Sequence, residues 1–94
     1  MNEVVPLKLP AGDTLWAVVA QLGRQSRIAE IYPNRSAALA DRTWREQQVR
    51  AYESFLRRAR QPVPHYSVAP IRREDVPRPW TPLPALGFLR GRFI

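Results

Sequence analysis

Residues 14–32 read TLWAVVAQLGRQSRIAEIY, and whether they fold as a hairpin or a helix decides the architecture of the chain. Read as strands, Thr14–Leu22 and Arg27–Tyr32 are joined by Gly23-Arg24-Gln25-Ser26, a four-residue, glycine-containing loop that suits an antiparallel hairpin. Val, Ile, Trp and Tyr fit the pleated surface. Read as a helix, the stretch takes Asp13 as N-cap and Gly23 as C-cap and places Leu15, Val18, Val19 and Leu22 on one side, which makes the protein largely helical. Two features favour strands: the β-branched pair Val18-Val19, and the alternation of Ile28, Glu30 and Tyr32 with Arg27, Ala29 and Ile31.

Downstream, the spacing predicts a helix over Ser36–Arg60. Ser36 follows Pro33-Asn34 and can cap the first turn, while Pro62 and Pro64 forbid continuation at the other end. At the helical period Ala37, Ala40, Trp44, Gln48, Ala51, Tyr52, Phe55 and Ala59 form one stripe, the predicted buried face. Arg42, Glu46, Arg50, Glu53, Arg57 and Arg60 lie opposite. Asp41 and Arg45, Glu46 and Arg50, and Glu53 and Arg57 stand four apart with the acid first, worth about 0.3 kcal/mol each on an exposed face. His65–Arg72 (HYSVAPIR) then reads as a third strand, which Pro70 confines to a sheet edge or a bulge, and Val4–Leu9 as a fourth. The predicted fold is α+β, (β)ββαβ: one domain over 1–76 with a small antiparallel sheet and one long amphipathic helix, followed by a Pro-rich segment, 77–94. A helix about 37 Å long overhangs strands of about 26 Å, so Arg57, Arg58 and Arg60 project if the C-terminal end is the free one.

Seven of the ten prolines lie between Pro62 and Pro84, yet the tail also carries Trp80, Leu83, Leu86, Phe88, Leu89 and Phe93, too much apolar surface for a solvated linker. The first strand explains where it can go. Leu15, Ala17 and Val19 point to one face and Trp16, Val18, Ala20 and Leu22 to the other, and a single helix covers only one of them. The tail therefore either covers the second face or docks on another chain, with Trp80, Phe88 and Phe93 as its apolar anchors. Arg78-Pro79-Trp80-Thr81-Pro82 holds a P-x-x-P element that an aromatic groove could bind, but a short motif around a Trp is better read as a covering segment.

The 94 residues carry a formal charge of +7, with fourteen of the fifteen basic residues arginine and no cysteine. Disulfides, thiolate metal sites and cysteine nucleophiles are excluded. The first ten residues lack the basic start and apolar run of a signal peptide, and no apolar stretch approaches the ~20 residues that span a bilayer; a cytoplasmic protein without a membrane role is expected. His65, the only histidine, has no carboxylate beside it in sequence, and no HExxH, P-loop or GxGxxG is present. An enzyme, a cofactor and a metal are not expected. Binding remains. One reading is an interaction module that holds an acidic protein or nucleoprotein complex. The other is direct nucleic-acid binding, with Arg24 and Arg27 near the hairpin loop and Arg57, Arg58, Arg60, Arg72 and Arg73 beyond it meeting phosphates. Arginine with almost no lysine is equally the mark of a GC-rich genome, and charge alone keeps a small protein soluble. A homodimer through the uncovered sheet face is a further expectation.

The run Trp16…Val19, Ile28…Ile31-Tyr32, Asn34…Ser36-Ala37-Ala38, Trp44 and then Tyr66-Ser67-Val68-Ala69-Pro70-Ile71 resembles small accessory proteins of phages and mobile elements built on a hairpin, a helix and a returning strand. The likeness covers about residues 14–76 and rests on hydrophobic spacing. It implies a non-catalytic role against or alongside host machinery, as in anti-CRISPR proteins, and transfers no functional residues. The Pro-rich tail departs from that pattern.

Overall fold

Residues 14–32 fold as the hairpin. The computed structural model describes residues 14–88; the predicted strand Val4–Leu9 and Phe93 lie outside them. β1 (Thr14–Leu22) and β2 (Gln25–Tyr32) are antiparallel, and Leu22 faces Gln25, so the turn is two residues rather than the four predicted. Gly23 supplies φ +61° at the first turn position, the type II′ requirement that matches strand twist. The register slips between Val18 and Val19, which leaves Ala29 without a partner on β1 and turns it fully into the core. β3 (His65–Arg72) pairs antiparallel with the other side of β1, giving the order β2-β1-β3. Its edge position is what makes Pro70 tolerable.

α1 (Arg35–Arg58) is shifted from the predicted Ser36–Arg60. Asn34, not Ser36, is the N-cap: its extended backbone aims Oδ1 so that it accepts from the Ala37 amide at 2.8 Å and from the Ser36 hydroxyl at 2.9 Å. The C-terminal end closes before the prolines. The Gln61 amide donates to the Leu56 carbonyl at 2.8 Å and the Arg60 amide to that of Arg57 at 3.1 Å, with Arg60 at φ 58°. This is a Schellman closure with arginine in the left-handed position usually given to glycine.

The helix lies on the face of β1 that carries Trp16, Val18, Ala20 and Leu22, but it does not bury the predicted stripe. Its buried residues are Ala38, Arg45, Val49 and Leu56, with Tyr52 packed at the margin. Trp44 and Phe55 are 49% and 51% exposed, and Ala40 and Ala51 are exposed with them. The helix is thus rotated by roughly 100° from the expectation, measured at 100° per residue. The cause is Arg45, which stands in the line of the buried residues and hides that line from a hydrophobicity count.

The tail reaches the same layer. The Leu83 amide donates to the Ala29 carbonyl on the outer edge of β2 at 2.8 Å, and Leu83 and Phe88 enter the core beside Val18, Val49 and Leu56. Both are almost fully buried. The prediction that the tail covers the second sheet face is met only by its first part: Trp80 stands with Val19 and Ile28 around an open groove of about 360 Å³ on that side. The chain then passes around the β2 edge to the helix side, because among the described residues no strand neighbours β2 there and its Ala29 carbonyl accepts from the Leu83 amide.

Candidate partner-binding surfaces

The topology sorts the seven candidate arginines into three places. Arg24 sits in the hairpin turn, and Gln21 pairs with His65, so the end of β1 that carries the turn also carries the start of β3. α1 runs from the far end, after Tyr32, back to that same end, where Leu56 packs in one cluster with Leu22 and Tyr66. Arg24, Arg57, Arg58 and Arg60 are therefore brought to one end of the sheet, all exposed. Among the described residues Glu53 is the acid that reaches this group: its Oε2 accepts from Arg57 Nη2 at 2.7 Å and Nε at 3.0 Å. Cations in the last helical turn also answer the negative end of the helix dipole.

The other three belong elsewhere. Arg27 Nη2 donates to the Thr81 carbonyl at 2.8 Å and to its hydroxyl at 3.2 Å, which makes it a tie for the tail. Arg72 pairs with Thr14 at the opposite end of β1, and Arg73 follows it in a 3₁₀ turn, Arg73–Asp75. Arg72 approaches Glu74 at 3.6 Å with both side chains about 70% exposed, a contact worth little in solvent.

Of the apolar anchors expected in the tail, Trp80 and Phe88 are used within the chain. Phe88 is enclosed in the core, 1% exposed, and offers nothing to a partner. Trp80 donates its Nε1 hydrogen to the Ile28 carbonyl at 2.6 Å and is half-buried.

Two features escaped the sequence reading. The first is the exposed line Ala40, Trp44, Ala51 and Phe55 on α1; among the described residues Trp44, Phe55 and Leu86 are the large apolar side chains left exposed. Their helical spacing is plain in the sequence, where hydrophobicity alone places it in the core. The second is a buried polar set. Arg45, 4% exposed, donates from Nε to Asp41 Oδ2 at 2.8 Å and from Nη1 to the Leu83 carbonyl at 2.8 Å. It thereby ties helix to tail. Tyr66 lies beside it, and burial pushes the Tyr66 hydroxyl above the usual phenol range, with Arg45 acting in the opposite sense. Tyr32 is raised as well, by burial first and then by the Asp41 and Glu30 carboxylates. The spacing of Asp41 and Arg45 was legible; its burial had no signal in sequence.

Of the other predicted helical pairs, Glu53 and Arg57 form as expected, whereas Glu46 meets Arg42, at 4.0 Å, rather than Arg50. His65 is exposed and lines a groove with Arg50, Glu53 and Arg57. Among the described residues no group of three or more His, Cys, Asp or Glu side chains is placed to hold a metal ion, and no helix is long and apolar enough to cross a membrane. Compared with models of known protein families, with curated proteins and with solved structures, the chain matches none of them.

Proposed function

We propose that this is a non-enzymatic interaction protein of the cytoplasm that holds an acidic protein or nucleoprotein partner through its cationic end. The observation that supports this reading is the gathering of Arg24 from the hairpin turn with Arg57, Arg58 and Arg60 from the end of the helix at one end of the sheet, with Glu53, among the described residues, the acid bonded there. Arginine forks at such a surface give bidentate contacts to carboxylates and raise association rates. A role as a mobile-element accessory protein or inhibitor fits a small binding domain of this kind.

Affinity capture from a lysate, run with and without nuclease, tests the reading. Wild-type chain retains an acidic protein after nuclease treatment, and a variant carrying Arg24→Ala, Arg58→Ala and Arg60→Gly loses it. If nuclease abolishes retention, and purified DNA or RNA binds with a log–log salt slope steeper than about −3, the cationic end reads phosphates directly. The same arginines support that second reading, since a phosphate, like a carboxylate, offers a pair of oxygens that accept two N–H bonds from one guanidinium.

A further inference from the structure

The charged stripe of α1 borders a groove that runs on from the cationic end. At 100° per residue Glu46, Arg50, Glu53 and Arg57 fall within about 60° of one another, beside the buried line of the helix. Across an open space of about 300 Å³ the segment that enters β3 faces them with His65. Val49 and Tyr66, both buried, also line this space, so its floor is apolar and its rim charged. The ion pairs on the rim leave one cation over. Glu53 is held by Arg57 at 2.7 Å, and Glu46 lies 4.0 Å from Arg42, outside the groove. Arg50, whose expected partner was Glu46, is exposed and has no hydrogen-bond or ion-pair partner among the described residues.

An uncommitted guanidinium and an imidazole above an apolar floor suit one kind of ligand, a carboxylate on a short aliphatic stem. Its oxygens accept from the guanidinium fork, and its methylenes lie against Val49 and Tyr66, the usual division between polar anchors and apolar lining. The volume stands at the small end of ligand pockets, enough for one side chain and the backbone that carries it. A row of phosphates fits less well, since added negative charge meets the Glu46 and Glu53 carboxylates on the same rim. We infer that this groove receives a glutamate or aspartate side chain from an acidic peptide segment of the partner, with Arg50 as its anchor and His65 as a second donor. The inference rests on the acidic-partner reading and deepens it: Arg24, Arg58 and Arg60 supply attraction at the neighbouring end, and Arg50 makes the specific contact.

Nuclear magnetic resonance titration of the isotope-labelled full chain with a blocked peptide, acetyl-Leu-Glu-Leu-amide, tests this. The backbone signals of Arg50, Glu53 and His65 move and saturate, whereas the neutral counterpart acetyl-Leu-Gln-Leu-amide leaves them in place. Arg50→Gln, a change at an exposed position that keeps the far-ultraviolet spectrum, weakens the glutamate peptide about tenfold, the weight of one charge-assisted hydrogen bond. Arg58→Ala, outside the groove, alters that affinity by no more than about twofold. Absence of saturable shifts, equal response to the two peptides, shifts centred on other residues, or unchanged affinity in Arg50→Gln overturns the proposal. So does inorganic phosphate displacing the peptide more strongly than acetate does, which would give the groove to phosphates. Capture of an acidic protein that survives Arg50→Gln but is lost in the Arg24→Ala, Arg58→Ala, Arg60→Gly variant overturns the groove contact alone and leaves the cationic-end reading in place.

Discussion

Arg45 is the residue on which helix, sheet and tail depend together. Its guanidinium is withdrawn from water and satisfied by Asp41 and by the Leu83 carbonyl. Truncation leaves the Asp41 carboxylate buried without its partner, so Arg45→Ala is expected to cost about 3–5 kcal/mol in a denaturant titration, and Arg45→Met distinctly less if Asp41 is replaced by Leu in the same chain. Arg60 carries the opposite expectation. A non-glycine residue in the left-handed region costs about 1 kcal/mol or more, so Arg60→Gly should raise the denaturation midpoint at an unchanged slope. Tyr66 gives a pH signature. Its hydroxyl titrates higher in the folded chain than in the unfolded one, so the unfolded state loses its proton first. Stability is then full below about pH 10 and falls as pH rises from there towards the folded value. Tyr66→Phe should flatten that alkaline decline in thermal melts.

At the scale of elements, β1, β3 and the existence of α1 were legible because they rest on local signals: β-branched runs, the proline after the helix, and Pro70 marking an edge. The strand reading of Thr14–Leu22 holds to its last residue, and that of His65–Arg72 at both ends. The rotation of α1 was not legible, because choosing between two candidate stripes depends on what the tail supplies from 38 positions away, the acceptor at Leu83 for Arg45. The tail's path was half legible. Its apolar content demanded burial, but the free Ala29 carbonyl that steers it around β2 arises from a register slip that no composition reveals. The two stripes make contrasting claims on stability. Leu56→Ala should cost about 2–5 kcal/mol, whereas Phe55→Gln, one position away, should stay within about 0.5 kcal/mol. Equal losses would return the helix to the orientation read from sequence. Gly87 adds a local check: a β-carbon there meets Leu83 Cδ1 at 2.8 Å, so Gly87→Ala must displace a core side chain and lower the melting temperature.

For the whole molecule, the sign of the charge was plain in the sequence, but its arrangement was not. Seven arginines looked equivalent as candidates; the fold ties Arg27 to the tail, sends Arg72 and Arg73 to the far end, and leaves Arg24, Arg57, Arg58 and Arg60 together. Four of the seven candidate arginines therefore share one end of the sheet, and the apolar line of α1 is a separate exposed surface. The most direct measurement is equilibrium binding of the captured acidic partner across a salt series, for the wild-type chain and for the Arg24→Ala, Arg58→Ala, Arg60→Gly variant. Affinity is expected to fall as salt rises, with a shallower dependence and weaker binding in the variant; affinity indifferent to salt, or identical in the two chains, would contradict a cationic binding end.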